Sequence, residues 1–218
     1  MPHDSPEPGG RSRPAGTGES GDKAVEILDG AFALFAEYGY AETRIEAVAR
    51  RAGVAKGTVY LYWRSKQELF RGVVERQLAP AVAAIERMSQ ARTRGPEARL
   101  EAIYAQLSEI IATGAPGAVL RLVIGESARF PELAEIYFNS VVEPALARMG
   151  TLIGEEMEQG RLRASPVRDY PMAFLAPVLT AALWRSLFET QHPLDIPAFL
   201  SAYTDMAMHG LAPGEAAR

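Results

Sequence analysis

Apolar side chains at Leu28, Ala31, Phe32 and Phe35 recur with the i, i+3, i+4, i+7 spacing of one helix face. The spacing predicts a first helix over 23–38, with Gly39 supplying a C-terminal stop. Thr43 followed three residues later by Glu46 reads as a capping box that opens a second helix. Its inward face is Ile45, Val48, Ala49 and Ala52, and Gly53 ends it. A short third helix is expected over 56–62. A fourth starts at Ser65, again with a capping box to Glu68, and continues through Leu69, Val73 and Val74. Beyond Pro80 the chain stays helical. Leu100, Ile103, Tyr104, Leu107, Ile110 and Ile111 trace one stripe, and further helices are expected over 117–129 and from Pro131 to about residue 160. Phe174, Leu175, Val178, Leu179, Leu187 and Phe188 lie on a segment apolar nearly all round, and Ile196, Phe199, Leu200 and Tyr203 begin a last amphipathic helix. Pro144 and Pro177 fall inside helical patterns and are expected to kink or split them. No alternating strand pattern of useful length and no internal repeat appears. The pattern predicts an all-α chain.

Composition changes this picture little. Of 218 residues, 48% are hydrophobic and 23% charged, as expected of a globular chain with a sizeable core. The absence of cysteine excludes a disulfide scaffold, a thiolate metal site and a cysteine nucleophile. His3, His192 and His209 are too scattered for a metal cage; His192 reads as a loop residue and His209 as a helix-end residue. No metal or cofactor is expected. Residues 1–21, with five Gly, four Pro and three Ser, read as a disordered tail without the apolar core of a signal peptide. The most apolar run, PMAFLAPVLTAALW over 171–184, is too short for a bilayer, which takes roughly 20 residues. The location expected is the cytoplasm, with no membrane partner. The chain also lacks a Ser/His/Asp order, a Gly-rich phosphate loop and an HExxH-type ligand set, so no enzyme is expected.

Charge matters more. The chain as a whole carries −4, which by itself argues against nucleic acid. The segment 44–76, however, holds eight basic and three acidic residues, and 81–218 holds twelve basic and sixteen acidic. The net figure averages a basic head and an acidic body.

The basic segment contains TRIEAVARRAGVAKGTVYLYWRSKQELF over 43–70, which encodes a helix, a Gly-containing turn, a short helix and a capped long helix. That is a helix-turn-helix. Ala49 is small where two helices must cross, Gly53 allows a left-handed turn, and Val54 and Val59 would face Ile45 and Val48. Lys56, Thr58, Tyr60, Leu61 and Tyr62 then point outward. Exposed there, they can touch thymine methyls, sugars and phosphates in a major groove.

The run GVAKGTVYLYWRSKQELF, with the preceding FAEYG ending the first helix and Thr43 after it, resembles the DNA-binding region of the TetR family of bacterial transcriptional regulators. The resemblance implies that Lys56, Gly57 and Thr58 open the recognition helix and that Tyr60 and Tyr62 contact phosphate, sugar or base. It implies that Lys66 holds a backbone phosphate, helped by its helix N-terminus, and that Val59 and Trp63 are core. Two departures stand out. Ala55 replaces the usual Ser or Thr cap of the short helix. Arg44 replaces a small hydroxyl residue, adding a candidate phosphate contact. Arg50 and Arg51 read as a solvated face, and Arg11 and Arg13 as an unbound tail.

For the body the resemblance implies a ligand-binding and dimerisation domain. The expected organisation is a tail over 1–21, a DNA-binding head over 22–70, a helical body over 71–210 and a flexible end over 211–218. Candidate pocket residues are Tyr104, Leu107, Ile111, Leu122, Val123, Phe138, Met149, Phe174 and Val178, for an apolar or aromatic effector. Candidate dimer-interface residues are Leu179, Leu183, Leu187, Phe199 and Tyr203, and a homodimer matches a near-palindromic double-stranded operator. The GESARFPEL string, with Glu126 and Arg129, reads as a helix-to-helix corner. The function expected is a ligand-released repressor. The alternatives are a regulator without an effector and a helical adaptor that binds protein through the same tyrosines.

Overall fold

The computed structural model describes residues 18–89 and 95–211, and the expectations for residues 1–17 and 212–218 lie outside them. The described residues form ten α-helices: α1 (Gly18–Glu42), α2 (Ile45–Arg51), α3 (Lys56–Tyr62), α4 (Lys66–Ser89), α5 (Pro96–Ala112), α6 (Ala115–Glu126), α7 (Pro131–Tyr137), α8 (Glu143–Glu158), α9 (Met172–Phe188) and α10 (Ile196–Leu211). A π-helical turn, Phe138–Val142, joins α7 to α8, and a 3₁₀ turn, Pro166–Asp169, precedes α9. Among the described residues there is no strand, and no single helix is long and apolar enough to cross a membrane.

The first helix begins at Gly18, inside the stretch expected to be tail, and its regular path breaks at Gly39, where φ is 83°. Gly53, at φ 64°, turns α2 into α3 in the same left-handed region. Thr43 departs from its expected role. Its hydroxyl donates backward to the carbonyls of Leu34 at 3.1 Å and Gly39 at 2.7 Å, closing the end of α1. The cap position of α2 falls to Arg44, which makes no side-chain cap. The second expected box forms one residue out of step: Glu68 N–H donates to Ser65 Oγ, and the Glu68 carboxylate accepts from Arg64 N–H.

Two cores are built on one shaft. The first is centred on the head: Phe35, Tyr40 and Phe70 form an aromatic triangle with centroids 5.6–5.8 Å apart, beside Ile27, Val48, Val59, Leu69 and Val73. Val119, Val123, Leu133 and Ile136 of α6 and α7 belong to the same core. The second core joins α4, α5, α8, α9 and α10 through Ile85, Ile103, Tyr104, Met149, Phe174 and Leu200. The helix α4 continues through Pro80 and contributes Leu78 to the first core and Ala84 and Ile85 to the second. Head and body therefore share a rod, and residue 70 is not where the head's packing ends.

Proline chemistry shapes the wall between the two halves. Pro144 lacks an N–H, and in a regular helix its ring would crowd the carbonyl of Ser140. The chain relieves this by widening one turn: Glu143 N–H bonds Phe138 O, five residues back. The single helix expected from Pro131 onward is thus a helix with a π-turn inside it.

Candidate nucleic-acid interface and ligand cavity

The short α3 is anchored by one residue. Val59 is fully buried, whereas Leu61 is 85% exposed and Tyr60 41% exposed. Gly57 and Lys56 also lie on the outside, and a Cβ at position 57 would meet nothing within 4 Å. The first turn is therefore open enough for a backbone to approach closely. Thr58 and Tyr62 are half-buried, and the Tyr62 ring lies against Trp63 with centroids 5.5 Å apart. Arg44, Arg50, Arg51 and Arg64 are exposed around this helix. The face is basic, apolar at Leu61 and aromatic at Tyr60, a combination suited to phosphates and base edges.

Lys56 is already paired. Its Nζ lies 2.5 Å from Glu46 and 5.7 Å from the centre of the Tyr60 ring. The hydrogen bond between them raises the Lys56 pKa and lowers that of Glu46. Any phosphate bound by Lys56 competes with Glu46 for it.

Lys66 sits deeper than the family resemblance implies. Its ammonium donates to the Ala41 carbonyl at 3.0 Å and stands 4.5 Å over the Tyr40 ring, and burial lowers its pKa. One of its three donors thus ties α4 to the end of α1. From the other side Glu126, at the end of α6, accepts from Ala41 N–H at 3.2 Å. A Cβ at position 39 would lie 2.6 Å from that carboxylate. Phe130 packs edge-on to Tyr40 at 5.1 Å. The GESARF corner, expected to be a simple bend, is the joint between body and head. A carboxylate just before a helix-ending Ser-Ala-Arg gave no signal of that contact.

The body holds an apolar cavity of about 370 Å³. Its walls come from α4 (Leu78, Ala81, Val82, Ile85), from α5 and α6, from the end of α7, the π-turn and the start of α8, and from α9. Of the nine candidate pocket residues, Leu107, Ile111, Phe138 and Val178 line it. The other five lie elsewhere. Tyr104, Met149 and Phe174 are buried in the second core, where the Tyr104 hydroxyl donates to Phe174 O at 2.7 Å. Val123 belongs to the first core and Leu122 packs against it. They share helix stripes with lining residues but face the neighbouring core. The lining residues contributed by α4, such as Ala81 and Ile85, and Tyr137 were absent from the sequence expectation. A stripe shows that a residue is inward, not which void it faces.

The outer side of α9 carries Trp184, Leu187 and Phe188, each 38–53% exposed, with Leu183 half-buried beside them. Met206 on α10 is 61% exposed. Leu179, expected at a dimer interface, is 38% exposed and also lines the cavity. Phe199 and Tyr203 pack against the second core, and the Tyr203 hydroxyl donates to Ala173 O at 2.6 Å.

Residues 27–73 match the model of the "Bacterial regulatory proteins, tetR family", and residues 98–205 match that of the "AefR-like transcriptional repressor, C-terminal domain". The "Fatty acid metabolism regulator protein" of Bacillus subtilis (strain 168) is 31% identical over 64 residues. That match covers 29% of this chain and only 33% of the relative, and so spans a third of its length. A Mesorhizobium loti MAFF303099 structure assigned to the TetR-family regulators is similar at TM-score 0.74 and 20% identity, covering 90% of this chain and 100% of that one. SmeT, the repressor of the Stenotrophomonas maltophilia multidrug efflux pump SmeDEF, is similar at TM-score 0.68 and 25% identity, covering 88% of this chain and 91% of that one. SmeT is also known in complex with triclosan.

Proposed function

The chain belongs to the TetR family of bacterial transcriptional regulators, DNA-binding proteins rather than enzymes, and from that premise we propose that it is a cytoplasmic, homodimeric repressor released from DNA by a small apolar effector. One observation carries the reading. The helix α4 lines the cavity with Leu78, Ala81, Val82 and Ile85 and packs into the head with Leu69, Phe70 and Val73. A ligand that changes the cavity displaces a rod on which the recognition helix rests. The likeness to SmeT, a repressor with a triclosan complex, supports the same assignment.

In this reading each protomer places α3 in a major groove, with Lys56, Gly57 and Thr58 at its first turn and Tyr60, Leu61 and Tyr62 along it. Arg44 and the free donors of Lys66 hold phosphates. The exposed stripe of Trp184, Leu187 and Phe188, with half-buried Leu183 beside it, pairs two protomers, so that two heads meet half-sites roughly 34–36 Å apart on a near-palindromic operator. Effector binding need only favour a different spacing. A coupling of about 1–3 kcal/mol changes occupancy roughly 5- to 150-fold.

The test is fluorescence anisotropy with DNA from upstream of the protein's own gene, across a salt series. Binding is expected to weaken with a log–log slope near −0.9 for each neutralised phosphate. Triclosan, used as a probe, is expected to lower the affinity. Binding insensitive to salt would overturn the DNA-binding interface described above.

A further inference from the structure

The side chains that line the cavity are hydrocarbons or thioethers with one exception. Among the described residues no ammonium, guanidinium, imidazole, carboxylate or amide side chain reaches its walls. The larger exposed lining residues, Phe138 and Met172, are apolar too, so the walls nearest solvent offer no partner for a charged headgroup. The exception is Tyr137, the last residue of α7 before the π-turn. Burial pushes its pKa up to about 12, still further from ionisation than an ordinary tyrosine, and it stands as a neutral O–H. The two other tyrosines of the body's interior spend their hydroxyls on backbone carbonyls, Tyr104 on Phe174 O and Tyr203 on Ala173 O. Among the described residues the Tyr137 hydroxyl has no such acceptor. Tyr137 is half-buried, so its hydroxyl keeps a donor open to an acceptor brought by a ligand.

We propose that the cavity takes an uncharged, mainly hydrocarbon molecule with a single oxygen acceptor, and that the Tyr137 hydroxyl supplies its one polar contact. The inference rests on the cavity being the effector site and names the chemistry that site selects. A carboxylate or phosphate buried here would lose its hydration with no opposite charge to replace it, a cost that lowers affinity a hundredfold or more. The volume, about 370 Å³, is near the lower end of small-molecule sites, which run from roughly 300 to 1,000 Å³. It suits one or two rings better than a complete lipid. Tyr137 thus sets specificity in the way a lone polar group in an apolar pocket does: it rewards an acceptor and fixes its orientation.

Three probes of one shape separate these claims: naphthalene, 2-naphthol and 2-naphthoate, titrated by calorimetry into the full-length, DNA-free protein at pH 7.5. The expected order is 2-naphthol about three- to tenfold tighter than naphthalene, the worth of one hydrogen bond, with 2-naphthoate at least a hundredfold weaker than 2-naphthol. Tyr137→Phe is expected to erase the preference for 2-naphthol while leaving naphthalene affinity and Tm unchanged. Val178→Trp, which fills the cavity, is expected to abolish binding of all three and so places the site. Binding of none of the probes, 2-naphthoate within tenfold of 2-naphthol, or a preference that survives in Tyr137→Phe would overturn the proposal. DNA release is read separately by anisotropy. A protein that binds 2-naphthol through Tyr137 yet keeps its DNA overturns the effector reading alone.

Discussion

Thr43 occupies the position where the sequence pattern asks for a helix cap, and its hydroxyl turns the other way. Buried to 3% exposure, it serves two carbonyls at the end of α1. The capping-box pattern identifies a residue that bonds the backbone locally, and both directions satisfy that description. The direction depends on where Gly39 bends the chain, which no spacing records. Thr43→Val keeps the shape and removes the donor. It is expected to cost about 1–3 kcal/mol, read as a lowered urea midpoint with unchanged m. A second residue-scale feature was invisible in the sequence. Arg99 and Glu156, 57 positions apart, form a buried ion pair at 2.8 Å, and Arg161 donates to the same carboxylate at 2.5 Å. The pairing of charges on α5 and α8 emerges only once their helices are placed side by side. Glu156→Ala leaves Arg99 buried without its partner. A loss of about 3–5 kcal/mol is expected by denaturant titration.

At the scale of elements, periodicity did well where a helix has one buried face and poorly where it has two. The helix order, the Gly39 and Gly53 breaks and the continuity after Pro131 were legible because each depends on local pattern. Which stripe of α5 or α6 meets the cavity rather than a neighbouring core was not, since both partners demand the same residue types. Two crossings set the relation between elements. At Gly117 a Cβ would fall 2.5 Å from Ala182 O, so α6 rests directly on the backbone of α9. Gly117→Val must push these helices apart, at an expected 1–3 kcal/mol and a lower Tm in calorimetry. At the other end of α6, Glu126 grips Ala41 N–H. If α6 carries the effector's influence to the head, Glu126→Ala weakens it. The expected outcome is effector affinity within twofold of wild type and a several-fold smaller loss of DNA affinity on effector addition. Calorimetry and anisotropy on the same preparation check the two halves.

For the whole molecule, the sequence pointed to a basic head on an acidic body, and the family matches cover two separate stretches, residues 27–73 and 98–205. The assembly was less legible. Of the residues expected to pair two protomers, Leu179 and Leu187 are exposed on α9, Leu183 is half-buried beside them, and Phe199 and Tyr203 are partly buried against the second core. An all-round apolar helix gives no sequence cue to which side faces its own core. Leu187→Glu places a charge in the stripe without touching either core. Sedimentation velocity is expected to show a monomer, with DNA affinity reduced more than tenfold as two-site binding is lost. The sharing of α4 and the intrusion of Val119, Val123, Leu133 and Ile136 into the head's core bear on how such proteins can recombine. A head grafted onto another body at residue 70 would leave behind part of the surface that completes it. Shuffled chimeras are viable only if the α6–α7 contact patch travels with the head or is matched by the new host. The unit of inheritance is thus the seam between the two domains rather than either domain alone.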